Sequence, residues 1–237
     1  MSHYFTSPAG PENRRQIQAT IWGRAYAFTT ADGVFSGDRL DPGTAVLLRT
    51  CEPPDPGRDW RLLDLGCGFG PIAVALALAC PRARVDAVDV NDRAVALTRL
   101  NAEAAGVADR VFACHPDVLL ARGDGTGVDC GGGTDVPGAD GRTAPAAQPG
   151  YDQIWSNPPI RIGKAALHDL LSTWLARLAP GGHANLVVGK NLGADSLQAW
   201  LTDQGWTAHR LASAKGYRVL RVAAPGANAS RTAAPAC

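Results

Sequence analysis

From Arg61 onward the sequence alternates short, almost wholly apolar runs with amphipathic stretches of helical period, and this alternation constrains the fold more than any other feature. Strands are expected over residues 61–65, 84–88, 110–114, 151–156 and 183–188, and helices over 71–79, 92–105, 164–178 and 194–204. Apolar strands joined through helices must run parallel, because only a long crossover returns the chain to the same edge of the sheet. Two final strands, 207–212 and 217–222, are separated only by residues 213–216, too few for a crossover, so they should pair antiparallel. The expected fold is therefore α/β, with a mostly parallel seven-stranded sheet whose last strand is antiparallel. Local chemistry supports the helix boundaries. Pro71 fits a first helical position, Asn91 can cap the helix that follows it, and Gly106 marks an end. Leu167, Leu170, Leu171, Trp174, Leu175 and Leu178 share one helical face, which reads as core.

Ahead of this pattern, residues 16–21 and 24–29 flank Trp22-Gly23 and read as a β-hairpin, and a helix carrying Val46, Leu47 and Leu48 should start near Asp41 to Thr44. Residues 1–50 are accordingly expected to pack, as hairpin and helix, on a catalytic domain spanning 51–222. Within that domain, residues 121–150 are dominated by Gly, Asp, Ala, Pro and Thr, with too little apolar surface to offset ordering, and read as a disordered insertion. Residues 223–237 read as a flexible tail. With 46% hydrophobic and 19% charged residues the chain is of globular composition. No apolar run approaches the ~20 residues of a membrane span and no leader pattern is seen, so a cytoplasmic protein is expected. The six cysteines lack metal-ligand spacing and read as reduced thiols, and no metal is expected. The formal charge of +1 offers no global field for a polyanion, so any nucleic-acid binding must rest on a local patch.

The chemistry concentrates at strand ends. Asp64-Leu-Gly66-Cys-Gly68-Phe-Gly70-Pro71 closes the first parallel strand and opens a helix, the position of a nucleotide-cofactor loop. A dinucleotide fingerprint needs glycine where Pro71 stands, and a carboxylate at Asp64 suits a pyrophosphate poorly. S-adenosylmethionine carries no phosphate, and its ammonium and sulfonium suit that carboxylate. A structural turn or another ligand of a similar fold remains open at this point. Asp89 ends the second strand, where a carboxylate can accept both ribose hydroxyls of an adenosine; Asn91 is a further cofactor candidate or simply a helix cap. Asp117 follows the third strand and can accept from an adenine amino group, or serve only the turn.

The sharpest signal is Asn157-Pro158-Pro159-Ile160, directly after the fourth strand. Two prolines remove two N–H donors, so the loop presents oxygens with little competing donation. An amine on a planar ring is a poor nucleophile because its lone pair is delocalised. Accepting its hydrogens with the Asn157 oxygen and the Pro158 carbonyl orients that lone pair, with Ile160 against the ring. The alternative is a rigid turn.

The combination of Asp64-Leu-Gly-Cys-Gly, Asp89 and Asn157-Pro-Pro-Ile resembles the class I, Rossmann-like methyltransferases, and within them the methyltransferase small domain family. Its best-known members are 16S ribosomal RNA guanine-N2 methyltransferases. Gly33-Val-Phe-Ser36, Leu40-Asp-Pro-Gly-Thr44, Ile160 to Lys164, Lys190-Asn191 and Lys215-Gly-Tyr217 are similar to other segments of that family. The resemblance implies S-adenosylmethionine as cofactor, held by Asp64, Gly66, Gly68 and Gly70 at the methionine moiety, Asp89 at the ribose and Asp117 near adenine. It implies Asn157 to Ile160 as the catalytic loop and ribosomal RNA or the small ribosomal subunit as partner. Ile160 stands where many relatives carry an aromatic residue, and the 121–150 segment has no counterpart in the pattern. A protein glutamine-N5 methyltransferase and a non-catalytic RNA-binding module are the alternatives. Arg14, Arg15, Arg24, Arg39, Arg161 and Lys164 are candidates for a phosphate-binding rim.

Overall fold

The computed structural model describes residues 13–36, 38–121, 150–159 and 162–224. The expected insertion apart from Ala121 and Gly150, the tail beyond Ala224, and both Ile160 and Arg161 lie outside the described residues. The chain runs β1 (Arg14–Ile21), β2 (Arg24–Ala31), α1 (Pro42–Thr50), β3 (Arg61–Leu65), α2 (Pro71–Ala79), β4 (Arg84–Val88), α3 (Asp92–Ala104) and β5 (Val111–Cys114). It continues through α4 (Pro116–Ala121), β6 (Tyr151–Ser156), α5 (Lys164–Leu175), β7 (Leu178–Gly189), α6 (Ala194–Asp203), β8 (Thr207–Ala214) and β9 (Tyr217–Ala223).

Strands β3 to β9 form one seven-stranded sheet in the order β5-β4-β3-β6-β7-β9-β8. The pairs β3–β4, β3–β6, β4–β5 and β6–β7 are parallel, while β9 inserts antiparallel between β7 and β8. The expected Rossmann-like sheet is the one observed. Because successive strand residues point to opposite faces, neighbours in sequence enter different cores. Leu62, Trp155, Val187 and Val219 pack with α1, α2, α3 and the hairpin. Leu63, Ile154, Leu186 and Leu220 pack with α5 and α6. The central strands are buried on both faces, which explains their unbroken apolar composition.

The hairpin is part of this core. Trp22 and Gly23 both have positive φ (48° and 76°), the two-residue turn that matches strand twist. Ile17, Ile21 and Phe28 are buried. The buried Asn101 of α3 accepts from the Thr29 amide at 2.8 Å and donates to the Thr29 carbonyl at 2.8 Å and the Phe69 carbonyl at 2.7 Å. One side chain thereby joins hairpin, helix and glycine loop.

Three local expectations shift. The helix expected over 164–178 ends at Leu175, and the strand expected over 183–188 begins at Leu178. There β6 advances from Tyr151 to Gln153 while its β7 partners advance from Leu178 to His183, so the Pro-Gly-Gly segment bulges within the strand. The residues after Cys114, expected as a turn, form the short helix α4, with Pro116 at its start and Asp117 in its first turn.

Among the described residues no helix is long and apolar enough to cross a membrane.

Candidate active site

The site lies where the carboxyl ends of β4, β3 and β6 stand side by side, the sheet position at which crossovers diverge and leave a crevice. Leu65 pairs with both Val88 and Ser156, so the residues that follow these strands, Gly66, Asp89 and Asn157, emerge next to one another. The Ser156 hydroxyl donates to the Leu65 carbonyl at 2.7 Å and fixes the last step of that register. A cavity of roughly 340 Å³ opens there, lined by the glycine loop, Asp89 to Asn91, Asn157 to Pro159, Asp41, Thr44, Phe35, Leu192 and Tyr217, among others. That volume is at the lower end of the range for small-molecule sites.

The loop is locked by its own backbone. The Gly66 and Cys67 amides donate to the Val88 carbonyl at 2.8 and 3.0 Å, and the Gly70 amide to the Cys67 carbonyl at 2.9 Å. Gly70 has φ 87°, and a Cβ there would come within 2.9 Å of the Thr98 side chain, so neither its backbone nor its packing admits another residue. Thr98 uses that contact to donate to the Gly68 carbonyl at 3.0 Å.

Asp89 bridges strand and loop, its carboxylate accepting from the Gly68 amide at 2.9 Å and the Asn91 amide at 3.0 Å. Burial raises its pKa against the lowering effect of those N–H donors. A carboxylate offers about four acceptor positions, so a diol can still be received.

Asp64 lies deeper. It is fully buried beneath the loop rather than on the cavity wall; one oxygen accepts from the Ala73 amide at 3.0 Å and the other, Oδ1, is buried without a partner. Burial pushes its pKa up to about 8 and neighbouring Asp89 adds to the rise, so the group is predominantly protonated at neutral pH. Burial and the same two carboxylates hold the Cys67 thiol well above its ordinary pKa, which makes it inert.

At the other end, the Asn157 amide donates through Nδ2 to Asp41 Oδ1 at 2.7 Å and to Thr44 Oγ1 at 3.1 Å. Asp41 caps α1, the same oxygen also accepting from the Gly43 and Thr44 amides at 2.7 and 3.0 Å. A Cβ on Gly66 would lie 4.0 Å from Pro159, so the glycine loop and the proline loop face each other at close range.

The structure thus brings together Gly66, Gly68, Asp89, Asn157, Pro158 and Pro159 on one cavity, with Gly70 and Asp64 supporting it from behind. Asn91 also borders it, but its side chain is engaged as the cap of α3, accepting from the Arg93 amide at 3.0 Å and donating to the Gly33 carbonyl at 2.8 Å. Asp117 is not brought in: its side chain is 82% exposed and pairs with His115 at 3.3 Å. Ile160 falls outside the described residues. Of the proposed phosphate rim, Arg15 is committed to Asp32 and Asp38, and none of the described basic residues lines the cavity. Sequence reasoning missed Asp41, Thr44, Leu192 and Tyr217 as cavity residues. Asp-Pro-Gly-Thr signals a helix start, but nothing local signals a partner 116 positions away.

The residues present fit S-adenosylmethionine. The loop keeps its backbone bare toward the cavity, and Asp89 offers a carboxylate at a strand end beside it.

Comparison with known proteins agrees. A model of the methyltransferase small domain matches residues 25–126 and 138–221. The chain is 28% identical over 220 residues to the Bacillus subtilis protein YbxB, covering 92% of this chain and 96% of that protein. It is 37% identical over 185 residues to ribosomal RNA small subunit methyltransferase C of Salmonella choleraesuis, covering 74% of this chain and 45% of the relative. Among solved structures, the T. thermophilus 16S rRNA N2 methyltransferase RsmC, in complex with AdoMet and guanosine, superimposes with a TM-score of 0.70 at 27% identity. That match covers 92% of this chain and 52% of the other, so the chain spans about half the length of these methyltransferases.

Proposed function

Because the chain belongs to the methyltransferase small domain family, we propose that it transfers a methyl group from S-adenosylmethionine to the exocyclic N2 amine of a guanine in 16S ribosomal RNA. The likeness to the T. thermophilus enzyme and to the Salmonella relative supports this substrate, and a cytoplasmic location follows from it. The observation that carries the reading is the juxtaposition of Asp89 and the glycine loop with Asn157 and its two prolines on one cavity.

Bound there, S-adenosylmethionine supplies a methyl group on a positively charged sulfur. Asp89 would hold its ribose and the loop from Gly66 to Gly70 would take its methionine portion, with Asp64 buried behind the loop. Asn157 Oδ1 and the Pro158 carbonyl accept the two hydrogens of the target amine. Turning both hydrogens toward the loop rotates the nitrogen lone pair out of the ring plane and toward the methyl group. The rate gain comes from this orientation and from proximity. The nitrogen–methyl bond would form as the sulfur–methyl bond breaks to leave a neutral thioether. The proton of the alkylated nitrogen, now strongly acidic, would pass to solvent, so a strong general base is not required.

Purified protein is incubated with methyl-labelled cofactor and small ribosomal subunits from a strain lacking it. Label should enter the RNA, be released by RNase and migrate as N2-methylguanosine. Label that resists RNase and yields to protease would instead identify a protein amide as acceptor, and cofactor binding without any turnover would reduce the chain to a binding module.

A further inference from the structure

We infer that Asp41, backed by Thr44, is a positioning residue that holds the Asn157 amide with its oxygen turned to the target amine. The inference rests on reading Asn157 as the amine acceptor and extends it to what makes that side chain an acceptor at all.

An asparagine amide presents an oxygen on one side and two N–H donors on the other, and rotation of the amide by half a turn exchanges them. The exchange reverses the chemistry. An N–H facing the target amine would draw on its lone pair, whereas the oxygen draws on its hydrogens and leaves the lone pair free. Selecting one orientation therefore selects between an inhibitory and a productive contact. Neither Pro158 nor Pro159 has a backbone N–H to help select it.

The selection comes from the start of α1. Nδ2 of Asn157 donates to Asp41 Oδ1 at 2.7 Å and to Thr44 Oγ1 at 3.1 Å, and the planar amide then carries Oδ1 away from α1. In the reversed orientation the amide oxygen would meet a carboxylate oxygen already committed to the Gly43 and Thr44 amides, so the bond to Asp41 would be replaced by repulsion, whereas the Thr44 hydroxyl, able to donate as well as accept, does not discriminate. A charge-assisted hydrogen bond is roughly twice as strong as a neutral one, which suits Asp41 as the dominant partner. Tyr217 closes the assembly from the far side: a Cβ on Gly43 would lie 2.9 Å from both its Cε1 and Asp41 Oδ1. Glycine at this position is thus what allows ring and carboxylate to pack together. Asp41, Thr44, Tyr217 and Asn157 all border the cavity.

The test separates anchoring from capping. Asp41→Ser retains an oxygen able to cap α1 but one too short to reach Asn157. Asp41→Asn keeps an acceptor at full length, and Thr44→Val removes only the second acceptor. Methyl transfer to small ribosomal subunits is measured at saturating cofactor, beside the cofactor Kd and the Tm of each variant. Asp41→Ser should lower kcat by about 10- to 100-fold and Thr44→Val by about 3- to 10-fold, with the cofactor Kd unchanged within about twofold. Asp41→Asn should recover turnover to within about fivefold of the parent. Adding Asp41→Ser to Asn157→Ala should change kcat by less than about twofold, because the group being positioned is gone. Without any substrate, the Asn157 side-chain amide resonances should be dispersed and protected in the parent and collapse toward those of a free amide in Asp41→Ser. Losses that multiply in the double variant, or undisturbed resonances in Asp41→Ser, would overturn the positioning role while leaving the acceptor reading intact. Parent-level turnover in Asn157→Ala would overturn both.

Discussion

The two ends of the cavity are assembled in different ways. At the cofactor end, contiguous backbone supplies most of the structure: the glycine loop folds onto Val88, Asp89 receives its amides, and Asn91 caps the next helix. At the amine end, Asp41, Asn157 and Tyr217 come from widely separated elements and meet only in the folded state. The first end is fixed by local geometry and the second by tertiary hydrogen bonds. Affinity and turnover should therefore respond separately to substitution.

The largest expected effect is at the amine end. Asn157→Ala should lower kcat by about 100- to 1000-fold, the scale on which removal of a single preorganised polar group acts, while calorimetry returns a cofactor Kd within about twofold of the parent. A matching loss of affinity would erase the distinction between the ends. At the cofactor end Asp89→Ala should do the converse, weakening cofactor binding by about 10- to 100-fold and leaving kcat at saturating cofactor within about threefold. Unchanged binding in a titration would remove Asp89 from the ribose.

A smaller effect sharpens the contrast through pH. Asp64 has its pKa raised from 3.8 to about 8 by burial, so the folded state retains a proton that the unfolded chain releases. A raised folded-state pKa gives stability that is fully present below pH 3.8 and lost as pH climbs through 8. Asp64→Asn abolishes this titration. The Tm of the variant minus that of the parent, measured without cofactor, should rise by about 10 °C between pH 4.5 and pH 8. A difference independent of pH would mean that Asp64 is ionised and solvated.

The same contrast governs what could be read from the sequence. The shape of the glycine-loop end was legible because the residues that build it are neighbours in the chain: Gly66, Gly68 and Gly70 after an apolar strand, and Asp89 at the end of the next. The strand ends, the hairpin turn at Trp22-Gly23 and the capped start of α3 were legible for the same reason. Asn157 and its prolines could be read as a candidate acceptor loop, but the orientation of the amide could not, since Asp41 is 116 residues away. Asp41 itself read only as a helix start. Local pattern also misled after Leu175, where Leu178 continues the apolar helical face yet pairs with Tyr151 as a strand. Sheet pairing, a tertiary effect, overrides the periodicity there. Six residues of α4 are too short to show a period at all, so Asp117 could not be seen to point outward.

The most direct test is mass spectrometry of nucleosides from 16S ribosomal RNA of cells with and without this protein. One N2-methylguanosine should disappear in its absence, return with the parent chain, and fail to return with Asn157→Ala. An unchanged content of N2-methylguanosine, or full restoration by Asn157→Ala, would contradict the proposed methylation.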